Sequence, residues 1–445
     1  MTLIGNGRLI THNSELPYLD DGCVAVDGTT IADIGSTSEL KAKYPDAEFY
    51  DAASRVIMPG LICAHTHIYS AFARGLSLPQ KEPNKDFIDI LENQWWRIDK
   101  VLNEDDNRYS AYSTGLESIR NGVTTLFDHQ ASPYHAKGSL FAINDALADI
   151  GIRRSLCYEV SDRDGEAIAM EGIQENVDFI DHAAKDDSDM VKGMLGLHAS
   201  FTLSAETLKK CVEAMGSRNA GFHVHTAEGI ADLYDSLKKY GKRVVERLHD
   251  ANILGEKTLC IHDIHINAAE MDILKATNTM AVHNPESNMG NAVGCTPALQ
   301  MLEKGILLGL GTDAYTQDMF ESLKVANIIH KHHQCNPSIG FMESFDMLFK
   351  NNAAICARYF EKPLGILQKG AYADIVVLDY IPHTPLNANN IAGHTMFGMM
   401  GRCVDSTMVN GRFVMKDRVM QTVDEQAVLA KAREQSADFW KRVIQ

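Results

Sequence analysis

Val56-Ile57-Met58-Pro59-Gly60-Leu61-Ile62-Cys63-Ala64-His65-Thr66-His67 is an apolar run that stops on two histidines. Further runs along the chain have the same build. Gly122 to Phe127 leads into Asp128 and His129, Arg154 to Tyr158 into Glu159, Lys192 to Leu197 into His198, and Gly221 to Val224 into His225 with Glu228. Thr258 to Ile261 leads into His262, Thr279 to Val282 into His283 and Asn284, and Ile306 to Gly311 into Asp313. Roughly 10 to 20 residues of helical periodicity separate one run from the next, which is the pattern of repeated βα units. Strands that are apolar almost throughout are buried on both faces, as in parallel sheets. Eight such units over residues 58–362 predict an α/β fold, a (β/α)8 TIM barrel, with its active site at the C-terminal ends of the strands. The polar residues named above all fall on that face. An open doubly wound sheet would need a glycine-rich phosphate turn after its first strand, and none follows Ala64.

The ends of the chain read differently. Thr2 to Thr11, Cys23 to Asp27 and Thr30 to Ile34 alternate as short strands around turns. The same texture returns at Ala373 to Leu378 and in a hairpin, Ser406 to Val409 and Arg412 to Met415, around Asn410-Gly411. Chain termini often lie close together, so residues 1–57 and 363–422 are expected to form one small β-sandwich subdomain. Residues 423–445 read as a closing amphipathic helix.

Composition narrows the function classes. The 445 residues carry 42 lysines and arginines against 59 acids, a formal charge of −17, and such a field repels phosphate backbones and anionic membranes. Neither nucleic acid nor a membrane is therefore an expected partner. No apolar stretch approaches the roughly 18 residues of a membrane span, and the start lacks a basic-then-apolar leader, so a cytoplasmic protein is expected. The nine cysteines are scattered and never form Cys-x-x-Cys, which fits neither a disulfide framework nor a zinc ribbon.

His65 and His67 stand at i and i+2 on a strand, so their side chains project to the same side. A lone His-x-His is more often half-buried polar surface than a ligand pair. Here His223-Val224-His225 repeats it at another strand end, and Asp313 adds a carboxylate at the last. Three imidazoles and a carboxylate suit a catalytic divalent metal with one position left open for water. Such an ion lowers the pKa of bound water from about 15.7 toward roughly 7 to 9 and makes hydroxide available at neutral pH. The tract His330-Lys331-His332-His333 is read as a solvated helix end, because neighbouring residues on a helix diverge. Gly309-Leu310-Gly311-Thr312-Asp313 closes the βα series instead of opening it, which argues against a dinucleotide site.

Met58-Pro59-Gly60-Leu61 through His67, Asn121-Gly122-Val123-Thr124-Thr125, His225-Thr226-Ala227-Glu228, His283-Asn284-Pro285-Glu286-Ser287-Asn288, Leu310-Gly311-Thr312-Asp313 and Lys369-Gly370-Ala371-Tyr372-Ala373-Asp374 occur in that order. In these stretches the chain resembles the amidohydrolase superfamily, specifically its mononuclear-metal aminohydrolases. The resemblance implies His65, His67, His225 and Asp313 as metal ligands, Glu228 as the proton shuttle, and His262 as the group that hydrogen-bonds the water or substrate. It also implies one divalent ion, with zinc expected and iron or manganese held by the same ligands, because the fourth strand offers no lysine for a second metal. The chain departs from its relatives at Asp263, an added acid beside His262. The implied activity is hydrolytic deamination of a nitrogen heterocycle of purine-like shape, with ring opening of a cyclic amide or amidine as the alternative. A non-catalytic scaffold would require degraded ligands, and all of them are present. Arg74, Trp95, His198, Asn284, Ser287 and Asn288 are the candidate substrate contacts. Relatives imply a homodimer or larger homo-oligomer.

Overall fold

The computed structural model describes residues 1–80 and 82–445. Its strands, in chain order, begin with β1 (Thr2–Ile10), β2 (Tyr18–Asp27), β3 (Thr30–Ser36), β4 (Glu48–Asp51) and β5 (Val56–Pro59). The parallel set follows as β6 (Leu61–Thr66), β7 (Val123–Gln130), β8 (Arg153–Tyr158), β9 (Val191–Gly193), β10 (Leu195–Ala199), β11 (Phe222–Thr226), β12 (Leu259–His262), β13 (Met280–His283) and β14 (Leu308–Leu310). The chain returns to antiparallel pairing with β15 (Ile375–Leu378), β16 (Val404–Val409), β17 (Arg412–Lys416) and β18 (Val419–Met420).

The parallel strands pair in sequence order, β6-β7-β8-β9 and β10-β11-β12-β13-β14, with helices between them, in an α/β arrangement of the TIM-barrel type. The two ladders stop at two seams. Single parallel bridges cross them, Thr66 opposite Asp313 and Val160 opposite Leu197. The predicted fourth strand, Lys192 to Leu197, is in fact two pieces. Around Met194 the chain leaves β8 and joins β11: Met194 N–H donates to the Leu156 carbonyl and Leu195 N–H to that of Gly221.

A similar switch corrects the first predicted strand. Val56 to Pro59 belongs to the terminal sheet, where Val56 pairs with Arg8 and Met58 with Val376. Only from Leu61 does the chain enter the parallel set. Gly60 makes the crossing possible, since a Cβ there would stand 2.2 Å from the Thr124 hydroxyl oxygen. Because β5 pairs with β1 on one side and β15 on the other, the strands from both termini merge into one continuous nine-stranded sheet. The pairing joins the strands of both chain ends, as expected, in one continuous ladder.

The terminal helix, Glu425–Ile444, packs beside the segment that leaves β6. Phe439 is fully buried, Trp440 Nε1–H donates to the Phe72 carbonyl at 2.7 Å, and Arg442 pairs with buried Asp106 at 2.7 Å. The turn after His67 is thereby fixed from outside the barrel. Among the described residues no helix is long and apolar enough to cross a membrane.

Candidate metal centre

His65 is the penultimate residue of β6, His67 lies one residue past it, His225 on β11 and Asp313 three residues beyond β14. All four are buried. Hydrogen bonds fix the tautomers of the imidazoles. His67 Nδ1 faces the His129 carbonyl at 2.7 Å and His225 Nδ1 the His198 carbonyl at 2.9 Å. A carbonyl only accepts, so both Nδ1 atoms carry the hydrogen and both Nε2 atoms present lone pairs. Those lone pairs meet at 3.2 Å. Two bare nitrogens at that distance repel unless a cation lies between them. Two nitrogen ligands on a tetrahedral ion at about 2.0–2.1 Å stand roughly 3.3 Å apart.

His65 completes the set. Its Nδ1 is 2.8 Å from His223 Nε2, while its own Nε2 is buried without a partner. Asp313 Oδ1 lies 3.3 Å from His67 Nε2 and 3.9 Å from His65 Nε2. The donor atoms of His65, His67 and Asp313 fall within 4.8 Å of one another, as do those of His65, His225 and His262. Burial and mutual repulsion hold His65 and His225 well below the ordinary imidazole range, which keeps them neutral and able to bind a cation. The orphaned nitrogen, the facing lone pairs and the donor chemistry fit a divalent transition-metal ion.

Above these ligands stand two more groups. His262 Nδ1 is 2.8 Å from Asn288 Oδ1, whose amide nitrogen donates to Thr296 Oγ1, so Nδ1 is the donor and Nε2 is left bare. That Nε2 lies 3.5 Å from Glu228 Oε2 and 3.6 Å from Asp313 Oδ2. Ser287 Oγ–H donates to the same Asp313 oxygen at 2.6 Å. Burial, with Asp313 and Asp232 adding to it, pushes the Glu228 carboxyl well above its ordinary range. His262 and Asp313 have φ of 75° and 55°, a left-handed backbone that costs a side chain roughly 1–2 kcal/mol each. Such strain persists where the surrounding fold enforces it, commonly at functional sites.

The cavity over these groups is closed to about 50 Å³. Tyr69, Phe87, Leu91, Trp95 and Tyr315 wall it from the solvent side. Phe87, Leu91 and Trp95 recur every four residues along one helical segment that includes a π-turn, Leu91–Trp95. Its continuation, Trp96–Val101, is tied to the loop after β8: Arg163 pairs with Asp99, Lys100 with Asp164 at 2.9 Å, and the Arg163 guanidinium lies 5.3 Å from the Trp96 ring centre. Glu159 enters the cavity from the same side, and burial pushes its carboxyl up to about 8.

Of the sequence candidates, the structure brings His65, His67, His225, Asp313, Glu228 and His262 together, and it sets Trp95, His198 and Ser287 on the cavity wall. Three others lie elsewhere. Arg74 is an exposed residue paired with Glu117 at 2.9 Å and borders a neighbouring cavity. Asn288 acts from behind His262. Asn284 is fully buried with neither polar atom partnered, turned toward Gly311, where a Cβ would meet its Oδ1 at 2.5 Å. Sequence reasoning missed Phe87 and Leu91, although their spacing with Trp95 was visible, and it left Glu159 as a strand end without a role.

The profile of the amidohydrolase family matches residues 56–414, and that of an imidazolonepropionase-like composite domain from bacteria matches residues 22–47. The chain is 27% identical to 5-methylthioadenosine/S-adenosylhomocysteine deaminase of Thermoanaerobacter pseudethanolicus, over 99% of each chain. It is 28% identical to 5'-deoxyadenosine deaminase of Methanosarcina mazei, again over 99% of each. An adenosine deaminase from Xanthomonas campestris, solved with bound zinc, superposes with a TM-score of 0.86 at 20% identity, covering 99% of this chain and 98% of that one.

Proposed function

The chain belongs to the amidohydrolase family, and from that membership we propose that it is a metal-dependent hydrolytic deaminase, which exchanges an exocyclic amine on a nitrogen heterocycle of purine-like shape for a carbonyl oxygen. The observation that carries this reading is the facing pair of bare Nε2 atoms on His67 and His225, 3.2 Å apart, with orphaned His65 Nε2 and Asp313 beside them. The deaminases among its relatives support the same reaction. Residues 58–362 are taken as one (β/α)8 barrel whose closure the two seam bridges support, with 1–57 and 363–422 as a β unit beside it and 423–445 as its bracing helix.

His65, His67, His225 and Asp313 would hold the ion, and the zinc bound by the Xanthomonas neighbour and the affinity order of nitrogen and oxygen ligands favour zinc. When bound, the ion lowers the pKa of its water toward neutrality and so supplies a nucleophile at neutral pH. Asp313 takes the proton that the attacking water gives up, with Ser287 holding its other oxygen. Glu228, whose protonated form is favoured by burial, delivers a proton to the ring nitrogen beside the reacting carbon and makes that carbon more electrophilic. The departing amine then collects the proton held by Asp313 and leaves as ammonia, and the hydroxyl proton of the adduct returns to Glu228. His262, with Nδ1–H committed to Asn288, orients the water by accepting one of its hydrogens at Nε2.

The test is to supply zinc-loaded protein with a panel of amino-substituted purines and pyrimidines, measuring ammonia and ultraviolet absorbance together. Ammonia with the ring chromophore retained is expected. Loss of the chromophore through ring opening, or no ammonia from any member, overturns the reading.

A further inference from the structure

The charges beside the cavity do not balance. Arg163 and Lys100 face three buried carboxylates, Asp99, Asp164 and Glu159. Arg163 pairs closely with Asp99 and meets Asp164 at 3.1 Å, and Lys100 meets Asp164 at 2.9 Å. Each of those two acids thereby has a close cationic partner, although Asp99 Oδ1 and Arg163 Nη1 remain buried without one. Glu159 receives only a 3.5 Å approach from Arg163 and lies 3.6 Å from His129 Nδ1, distances too long for good hydrogen bonds. His129 offers it no hydrogen in the neutral form, because its Nε2–H is directed at the Leu197 and His223 carbonyls. A buried carboxyl outside the close ion pairs of its own network, and lining a cleft, is a candidate for contact with a ligand.

Glu159 also stands where a ligand would reach it. Its side chain is 4% exposed and lines the cavity over the proposed ligands. It follows β8, whereas Glu228 follows β11, with β9 and β10 between them in the chain. Glu228, His262 and Asp313 form one close group, and Glu159 is outside it. A flat ring placed against that group would present a different edge to Glu159. Resting on the deaminase reading, we propose that Glu159 is a specificity-determining residue, accepting a hydrogen bond from a ring or exocyclic N–H on the edge of the heterocycle remote from the reacting carbon. The substrate class is then a heterocycle with an N–H donor on that far edge in addition to its leaving amine.

The test is of binding, so it can be read without turnover. Benzimidazole and 2-aminobenzimidazole share a flat ring and differ by one exocyclic amine. Their dissociation constants are measured by calorimetry on zinc-loaded full-length protein carrying Glu228→Gln, with and without Glu159→Leu, and with Glu159→Gln as the conservative variant. Arg163 keeps Asp99 and Asp164 in both variants, so the fold and zinc content are expected to be unchanged, which thermal melting and metal analysis check. The parent should favour the amino compound about three- to tenfold, as one hydrogen bond to a buried carboxyl oxygen is worth. Glu159→Leu should reduce that preference to under twofold, and Glu159→Gln should keep part of it. An undiminished preference in Glu159→Leu, equal weakening of both compounds, loss of zinc, or failure of either compound to bind the parent overturns the proposal. Absence of ammonia release from wild type overturns the deaminase reading instead.

Discussion

The floor and the roof of the cavity are built by different forces. On the floor, each imidazole is oriented by a hydrogen bond from its far nitrogen to a group fixed by the barrel: His67 to the His129 carbonyl, His225 to the His198 carbonyl, His262 to Asn288. The roof, Phe87, Leu91 and Trp95, comes from a helical segment outside the ladders and is held by aromatic contact and by ion pairs through Arg163. A floor pinned by backbone carbonyls cannot shift without breaking strands. The roof is held by side chains and not by ladder hydrogen bonds, and the cavity of about 50 Å³ beneath it is far below the roughly 300–1,000 Å³ of ligand pockets, so a purine-sized ligand would require it to shift.

The contrast predicts that damage to the floor acts on metal and turnover, and damage to the roof on substrate access. The largest effect is expected from Asp313→Ala, which should lower bound zinc and reduce kcat/KM by about 10³-fold or more while circular dichroism stays native. Glu228→Gln should retain zinc and lose turnover by about 10²–10⁴-fold, the usual contribution of a positioned proton donor. Full activity in either variant would break the account of the floor. Asn288→Leu frees His262 without touching a ligand and should cost about 10–100-fold in kcat with zinc retained, the range seen when a group behind a metal site is removed. Asp99→Asn loosens the roof while Arg163 keeps Asp164; the expected result is a several-fold change in KM with kcat nearly constant. Equal effects of Asp99→Asn and Asn288→Leu on kcat would erase the distinction. Arg74→Ala should change kcat/KM by less than about twofold, because its partner Glu117 forms an exposed pair of the kind worth about 0–1 kcal/mol.

How much of this was legible follows the same division. The floor could be read because the barrel imposes a pattern on sequence: an apolar strand, then a polar residue at its mouth, with i and i+2 on one side. That pattern placed His65, His67, His225, His262 and Asp313 at the barrel mouth together with Asp128, His129, Glu159, His198, His283 and Asn284; the family resemblance picked the ligands and His262 out of that set. It could not reveal where Val56–Pro59 leaves one sheet for another at Gly60, because both sheets ask for buried apolar residues and the composition is continuous across the change. The break at Met194 was hidden for the same reason. The single terminal sheet escaped because β5 joins strands more than 300 residues apart in sequence, through pairs such as Val376 with Met58. Asn284 carried a motif yet does not line the cavity; its amide oxygen faces Gly311. Glu159 had no motif at all; its significance lies in the surplus of charge around it, which only the three-dimensional neighbourhood of Asp99, Arg163 and Asp164 exposes.

The most direct measurement of the central claim is metal stoichiometry coupled to ammonia release. The purified chain should carry one equivalent of a divalent transition metal, lose ammonia release from its best heterocycle when a strong chelator strips that equivalent, and recover it on adding back one equivalent of zinc. Ammonia release that survives complete removal of metal, or a chain that binds none at micromolar zinc, would contradict it.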